Sequence, residues 1–102
     1  MLELRPNCEM CDRDLPPNST EARICSYECT FCAGCVETIL YNVCPNCGGG
    51  FVHRPIRPKK AHRDGTGLRH HPAGTKRAKM KWTTADVSAF VAKLRGTPAQ
   101  DR

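Results

Sequence analysis

A chain of 102 residues with a net charge of +6, eight cysteines and 6% aromatic residues is at most one ordinary domain. No apolar run approaches the ~20 residues of a membrane span, and Met1-Leu2-Glu3-Leu4-Arg5-Pro6 lacks the basic end and the apolar stretch of ~7–15 residues that mark a secretory signal. The expectation is a cytoplasmic, membrane-free setting, where paired thiols bind metal more often than they form disulfides.

Residues 1–52 hold every cysteine, at positions 8, 11, 25, 29, 32, 35, 44 and 47, and most of the large apolar side chains, among them Leu4, Leu15, Ile24, Phe31, Leu40, Val43 and Phe51. About fifty residues bury too little apolar surface to offset the entropy of ordering the chain, so a module of this size needs metals or disulfides. The cysteine order reads C-x2-C, thirteen residues, C-x3-C, two residues, C-x2-C, eight residues, C-x2-C. A close pair brings two sulfurs to one tetrahedral ion, so four pairs make two closed sites of four thiolates each, with two Zn²⁺ as the expected cofactors. A closed site leaves no coordination position for water or substrate, which makes these sites structural and argues against an enzyme. The spacing does not match the ferredoxin patterns of iron–sulfur proteins. With eight cysteines completing two sites, His53, His62, His70 and His71 read as solvated residues outside the metal chemistry.

Between Cys35 and Cys44, Val36, Ile39, Leu40 and Val43 share one face of a short central helix. Beyond Gly48-Gly49-Gly50 the charge reverses. Residues 1–52 carry three basic side chains (Arg5, Arg13, Arg23) against seven acidic ones, a balance of −4, whereas residues 53–102 carry thirteen against three, a balance of +10. Thiolates and dications together take the first part to about −8 and the whole chain to about +2.

Residues 53–82 are rich in Pro, Gly, Lys, Arg and His and read as a basic disordered linker. Lys76, Arg77, Lys79, Lys81 and Trp82 interleave charge with one aromatic ring, a pattern that neutralises phosphates and stacks on an exposed base. The competing reading is a solubilising charge run. Over 83–96, Thr83 caps a short helix with Asp86 three residues on. Val87, Phe90, Val91 and Leu94 form its apolar stripe, and Gly96 with Pro98 ends it. Residues 97–102 are expected to be a disordered end.

The eight ligands in order resemble a RING finger, in which pairs alternate between two zincs in a cross-brace. Phe31 before Cys32 and the closing Cys44-Pro45-Asn46-Cys47 agree with that pattern over about residues 8–48. The resemblance implies that Cys8, Cys11, Cys32 and Cys35 hold one zinc and that Cys25, Cys29, Cys44 and Cys47 hold the other. It implies a small α+β fold of RING-like or treble-clef type. RING ubiquitin ligases bind their partner enzyme through apolar residues at positions that correspond to Met10, Ile39 and Pro45. Plain core packing is the competing reading, stronger for Ile39 and Pro45 than for Met10. The chain departs from the family in having Cys29 where His is usual, which leaves metal binding intact, and Gly48 where a cationic residue is usual, which counts against ligase activity. From Leu4-Arg5-Pro6-Asn7-Cys8 to Gly48-Gly49-Gly50-Phe51 the chain also resembles a bacterial family of small cysteine-rich proteins of unknown function, which implies a bacterial cytoplasm. The expected role is a non-enzymatic protein-interaction adaptor with an unidentified protein partner. Nucleic-acid binding through the basic tail is the alternative, and RING-type ligase activity a weaker one.

Overall fold

The computed structural model describes residues 1–102. Three short strands form an antiparallel sheet, β1 (Ala22–Ile24), β2 (Thr30–Cys32) and β3 (Val52–His53), in the order β2-β1-β3. Arg23 pairs with Phe31 on one side and with His53 on the other. A helix, α1 (Ala33–Cys35), follows β2 directly and widens into a π-helical turn over Val36–Leu40. A second helix, α2, spans Thr84–Leu94, and a 3₁₀ turn over Ala99–Asp101 ends the chain. The small α+β architecture agrees with the fold expected from the sequence.

The core is assembled from the cysteines themselves, together with Leu15, Ala22, Phe31, Val36, Leu40 and Val43, and with Val87 and Val91 from α2. Phe31 is fully buried and meets Phe51 edge-on at 5.5 Å. Ile39 departs from the helical face expected for it and is 46% exposed, while Val36, Leu40 and Val43 are buried. The π turn explains this. Its i→i+5 bonding, with the Tyr41 amide donating to the Val36 carbonyl, returns the fourth residue and not the third above Val36. Left-handed Tyr41 and Asn42 then end the turn.

The expected disordered linker is an ordered strap, and this corrects the reading of residues 53–82 and of the tail as a whole. Residues 71–80 run alongside the N-terminal segment: the Gly74 amide donates to Leu4, the Met80 amide to Glu9, and the Asn7 side chain exchanges two hydrogen bonds with the Ala78 backbone. Two arginines clamp its beginning. Arg57 donates to the carbonyls of Leu2 and His71, and buried Arg54 donates to those of Arg5, Leu15 and Pro16. Composition predicts disorder from low apolar content; here backbone donors and guanidinium groups supply the docking, with Met80 packed against the core. The chain end is ordered as well, because Arg102 donates to the carbonyls of Thr97, Asn42 and Gly48.

The α2 helix starts where the sequence places it, with Thr83 and Asp86 forming a reciprocal capping box. Its stripe lies against the cysteine module, Val87 and Val91 buried and Phe90 and Leu94 packed beside them. Gly48 makes this approach possible. It has φ +81°, and a Cβ there would lie 3.1 Å from Leu94 Cδ1. One of the two residues that depart from the RING pattern is thus the one over which α2 lies.

Candidate metal centre

The local folding of the cysteines follows from short-range hydrogen bonds to sulfur. The Cys11 amide donates to Cys8 Sγ at 3.5 Å, and the Cys35 amide donates to Cys32 Sγ at 3.4 Å. Two matching knuckles therefore face each other, one in the N-terminal loop and one at the start of α1. Between them Cys8 and Cys35 are 3.9 Å apart at sulfur, and Cys11 and Cys32 are 3.7 Å apart. All four sulfurs lie within 4.8 Å of one another. These are the edges that one tetrahedral ion spans, and far too long for disulfides; all eight thiols are free.

A second group forms from Cys25, at the end of β1, and the pair Cys44 and Cys47, whose sulfurs also lie within 4.8 Å of one another. The Tyr27 amide donates to Cys25 and the Gly49 amide to Cys47. Cys29 is buried next to this group but outside its 4.8 Å set. Burial raises its thiol first; nearby Asn46 lowers it and Cys25 raises it, and its charge is felt at Cys44. The structure thus contains one cluster of four cysteines and one of three with a fourth alongside. Each can hold a metal ion. The grouping is interleaved along the chain, first pair with third and second with fourth.

The electrostatics of the bare sulfurs favour a cation. Burial pushes the thiols of Cys8 and Cys29 up. Cys35 and Cys44 are raised strongly, again by burial first and then by neighbouring cysteines: Cys8, Cys11 and Cys32 for the former, Cys25 and Cys29 for the latter. Cys32 is the exception. Burial raises it, but the Cys35 amide and the surrounding thiols donate to its sulfur and bring it below the usual thiol value. Four clustered thiolates without a counter-charge are unstable, and a bound dication removes the penalty and deprotonates its ligands.

Around the clusters lie polar residues that sequence reasoning passed over. Glu9, beside Cys8, is buried and accepts from Arg5 at 2.9 Å, from the Thr30 amide at 2.6 Å and from Asn46 at 3.4 Å. Asn46, between Cys44 and Cys47, in turn accepts from Trp82 Nε1 at 2.9 Å. This chain of contacts crosses from one cluster to the other and on to the strap. The only sequence signal for it was the position of Glu9 and Asn46 inside two cysteine pairs.

The residues expected to form a partner surface are separated. Met10 is half-buried and lines a cleft of about 320 Å³ with Arg77 and Ala78. Pro45 is buried and lines a groove of about 540 Å³ with Asn46, Trp82, Ala89 and Phe90. Ile39 lines neither. Of the basic stretch, Arg77 is held by Asp12 at 2.8 Å and Asp14 at 2.7 Å, and Lys81 sits 4.8 Å from the Trp82 ring centroid. Lys76 and Lys79 are exposed. None of the four histidines belongs to a cysteine cluster. No helix is long and apolar enough to cross a membrane.

Among known proteins, no solved structure matches the chain. An uncharacterized protein of Rhizobium meliloti (strain 1021) is 60% identical over 77 residues, which covers 76% of this chain and 84% of that relative. The likeness therefore extends past the cysteine module into the strap. The resemblance to a bacterial cysteine-rich family holds: by the match over residues 1–57, the chain belongs to the protein family of unknown function DUF1272.

Proposed function

We propose that the chain is a two-zinc scaffold that acts as a protein-interaction adaptor and not as an enzyme. The observation that carries this reading is the convergence of Cys8, Cys11, Cys32 and Cys35. A tetrahedral ion with Zn–S bonds of ~2.3 Å needs sulfur–sulfur edges of about 3.8 Å, and the separations present are 3.7 and 3.9 Å. Cys25, Cys29, Cys44 and Cys47 hold the second zinc, with Cys29 turning in to complete the set. Four thiolates fill each coordination shell, so neither metal has a position for substrate. The metals serve to fix a small surface.

That surface is the groove between the Cys44–Cys47 loop and α2, lined by Pro45, Trp82, Ala89 and Phe90, with Lys93 and Asp86 at its edge. Apolar walls with a few charged groups suit a peptide segment of a protein partner. Elemental analysis is expected to give two zincs per chain. Cobalt substitution should give the spectrum of tetrahedral four-thiolate sites at both positions. One metal per chain, or a fold indifferent to strong chelator, would refute the scaffold. For the adaptor role, Trp82→Asp is expected to abolish capture of a specific partner from the native host while both metals stay bound. Capture that survives this change would place the partner elsewhere.

A further inference from the structure

The thirteen basic residues of 53–102 are used unequally by the fold. Arg54, Arg57 and Arg102 donate to backbone carbonyls. Arg77 is paired with two aspartates, and Arg95 lies 3.6 Å from the Tyr41 ring centroid. Lys81 is over Trp82. Lys59, Lys60, Arg63 and Arg69, like Lys76, Lys79 and Lys93, are exposed, belong to no ion pair and make no side-chain hydrogen bond, but these four alone fall together within one loop. The one acidic residue among them is Asp64.

These four sit on a built turn. The lobe leaves the body at Arg57, which is tied to Leu2, and rejoins it at Gly74, which is tied to Leu4. In between its hydrogen bonds are local: Leu68 to Pro58, His70 and His71 to Gly67, Thr66 to Arg63. Gly67 has φ +85°, and a Cβ there would come within 2.8 Å of the Lys60 carbonyl, so glycine is required for closure. The cations are thereby carried on a closed turn with its own local hydrogen bonds. Their pairing with carboxylates of this chain does not occur. Cations left unpaired and clustered on a projecting lobe are the electrostatic footprint of a polyanion site.

We propose that the lobe over residues 58–70 contacts the phosphate backbone of nucleic acid, without reading sequence. No Phe, Tyr or Trp lies between Phe51 and Trp82, which leaves the lobe only histidine and arginine side chains for stacking, and phosphate contacts carry no sequence information. A lipid surface fits less well, because the lobe's one large apolar side chain, Leu68, is half-buried and leaves nothing to insert. The acidic body repels a polyanion, which confines contact to the lobe. The site is distinct from the Lys76–Trp82 stretch, whose Arg77 is consumed by Asp12 and Asp14.

The test is fluorescence anisotropy of the full metal-loaded chain against a labelled mixed-sequence DNA duplex, repeated across salt concentrations. Each neutralised phosphate contributes about −0.9 to the slope of log K against log salt, so four cations predict a slope of roughly −2 to −4. The variant K59Q/K60Q/R63Q/R69Q is expected to bind at least ~10-fold more weakly at low salt with a flattened slope, while its metal content and melting temperature stay those of the parent. The variant K76Q/K79Q/K81Q is expected to bind within about threefold of the parent. Unchanged binding by the lobe variant, loss of binding in the Lys76 set alone, or no duplex binding at low salt would overturn the proposal. So would tighter binding to phosphatidylserine vesicles than to the duplex, lost with the lobe cations, which would make the surface a membrane contact.

Discussion

The two cysteine clusters use one ligand type and close to different degrees. Around the first, two C-x2-C knuckles face each other, each braced by an amide donating to sulfur, and four sulfurs converge. Around the second, Cys25 and Cys29 are a C-x3-C pair at the turn between β1 and β2, with Glu28 at φ +65° between them. The extra residue makes a wider turn, in which the Cys25 amide donates to the Cys29 carbonyl. Only Cys25 then joins Cys44 and Cys47, while Cys29 is buried beside them. Spacing thus goes with how closely the sulfurs converge, four in the first cluster and three in the second with Cys29 outside the set. A metal at the second site would have to draw Cys29 in as its fourth ligand.

This contrast predicts unequal losses on removing a ligand. Cys8→Ser strikes a fully buried sulfur in the first cluster. It is expected to abolish cooperative unfolding, because a module this small has no fold without that metal. Cys29→Ser is expected to keep the first metal, the sheet and α2, and to lose the second metal at lower chelator concentration than the parent. Circular dichroism with elemental analysis of the two variants checks this; equal collapse in both would break the comparison. Graded chelation of the parent should likewise release the second site first.

Arg54 sharpens the comparison on the side of the first site. Its guanidinium is buried without a carboxylate, and burial alone pulls its pKa down. Three carbonyls, of Arg5, Leu15 and Pro16, replace water around it, and these flank the loop that carries Cys8 and Cys11. Arg54→Met takes the guanidinium donors from the Arg5 and Leu15 carbonyls, while that of Pro16 keeps the Ser19 amide, at an expected cost of about 2–3 kcal/mol, read as a lower denaturant midpoint at unchanged metal content.

Much of the metal module was legible because its signals are local. Cysteine spacing, the closing Cys-Pro-Asn-Cys, the aromatic residue before Cys32 and the Thr83–Asp86 cap each specify their neighbourhood within a few residues. Misreadings arose where long-range contacts decide. The strap looked unstructured because its order comes from donors far along the chain from their acceptors, 39 residues for Arg54 to Leu15 and 71 for Asn7 to Ala78. Ile39 was placed on a helical face by a period of 3.6, and the π turn has another. Arg77 looked free for phosphate until the fold brought Asp12 and Asp14 to it.

Gly48 tests the other side of the comparison, where α2 lies over the second cluster. Gly48→Ala adds a methyl at φ +81° and 3.1 Å from Leu94. A left-handed alanine costs about 1–2 kcal/mol, and a displaced helix adds to it. The expected result is a lower melting temperature and faster metal release from the second site, with the first unaffected; release from both at one rate would show that the clusters do not act independently.

The smallest effect is expected at Arg77, whose Nε and Nη2 both donate to Asp12 Oδ1 and whose bond to Asp14 completes a set that looks strong on distance alone, at 2.7 to 3.0 Å. All three side chains are largely solvent-exposed, and exposed pairs lose most of their attraction to water and salt. The Arg77 side chain also donates to the Asp12 carbonyl, yet that carbonyl remains open to solvent once the guanidinium is gone. Arg77→Gln should therefore shift the melting temperature by no more than about 2 °C and leave metal content untouched. A larger drop would mean that the strap, and not the two clusters alone, holds the N-terminal knuckle in place, and that the first site is framed from outside as well as by its own backbone.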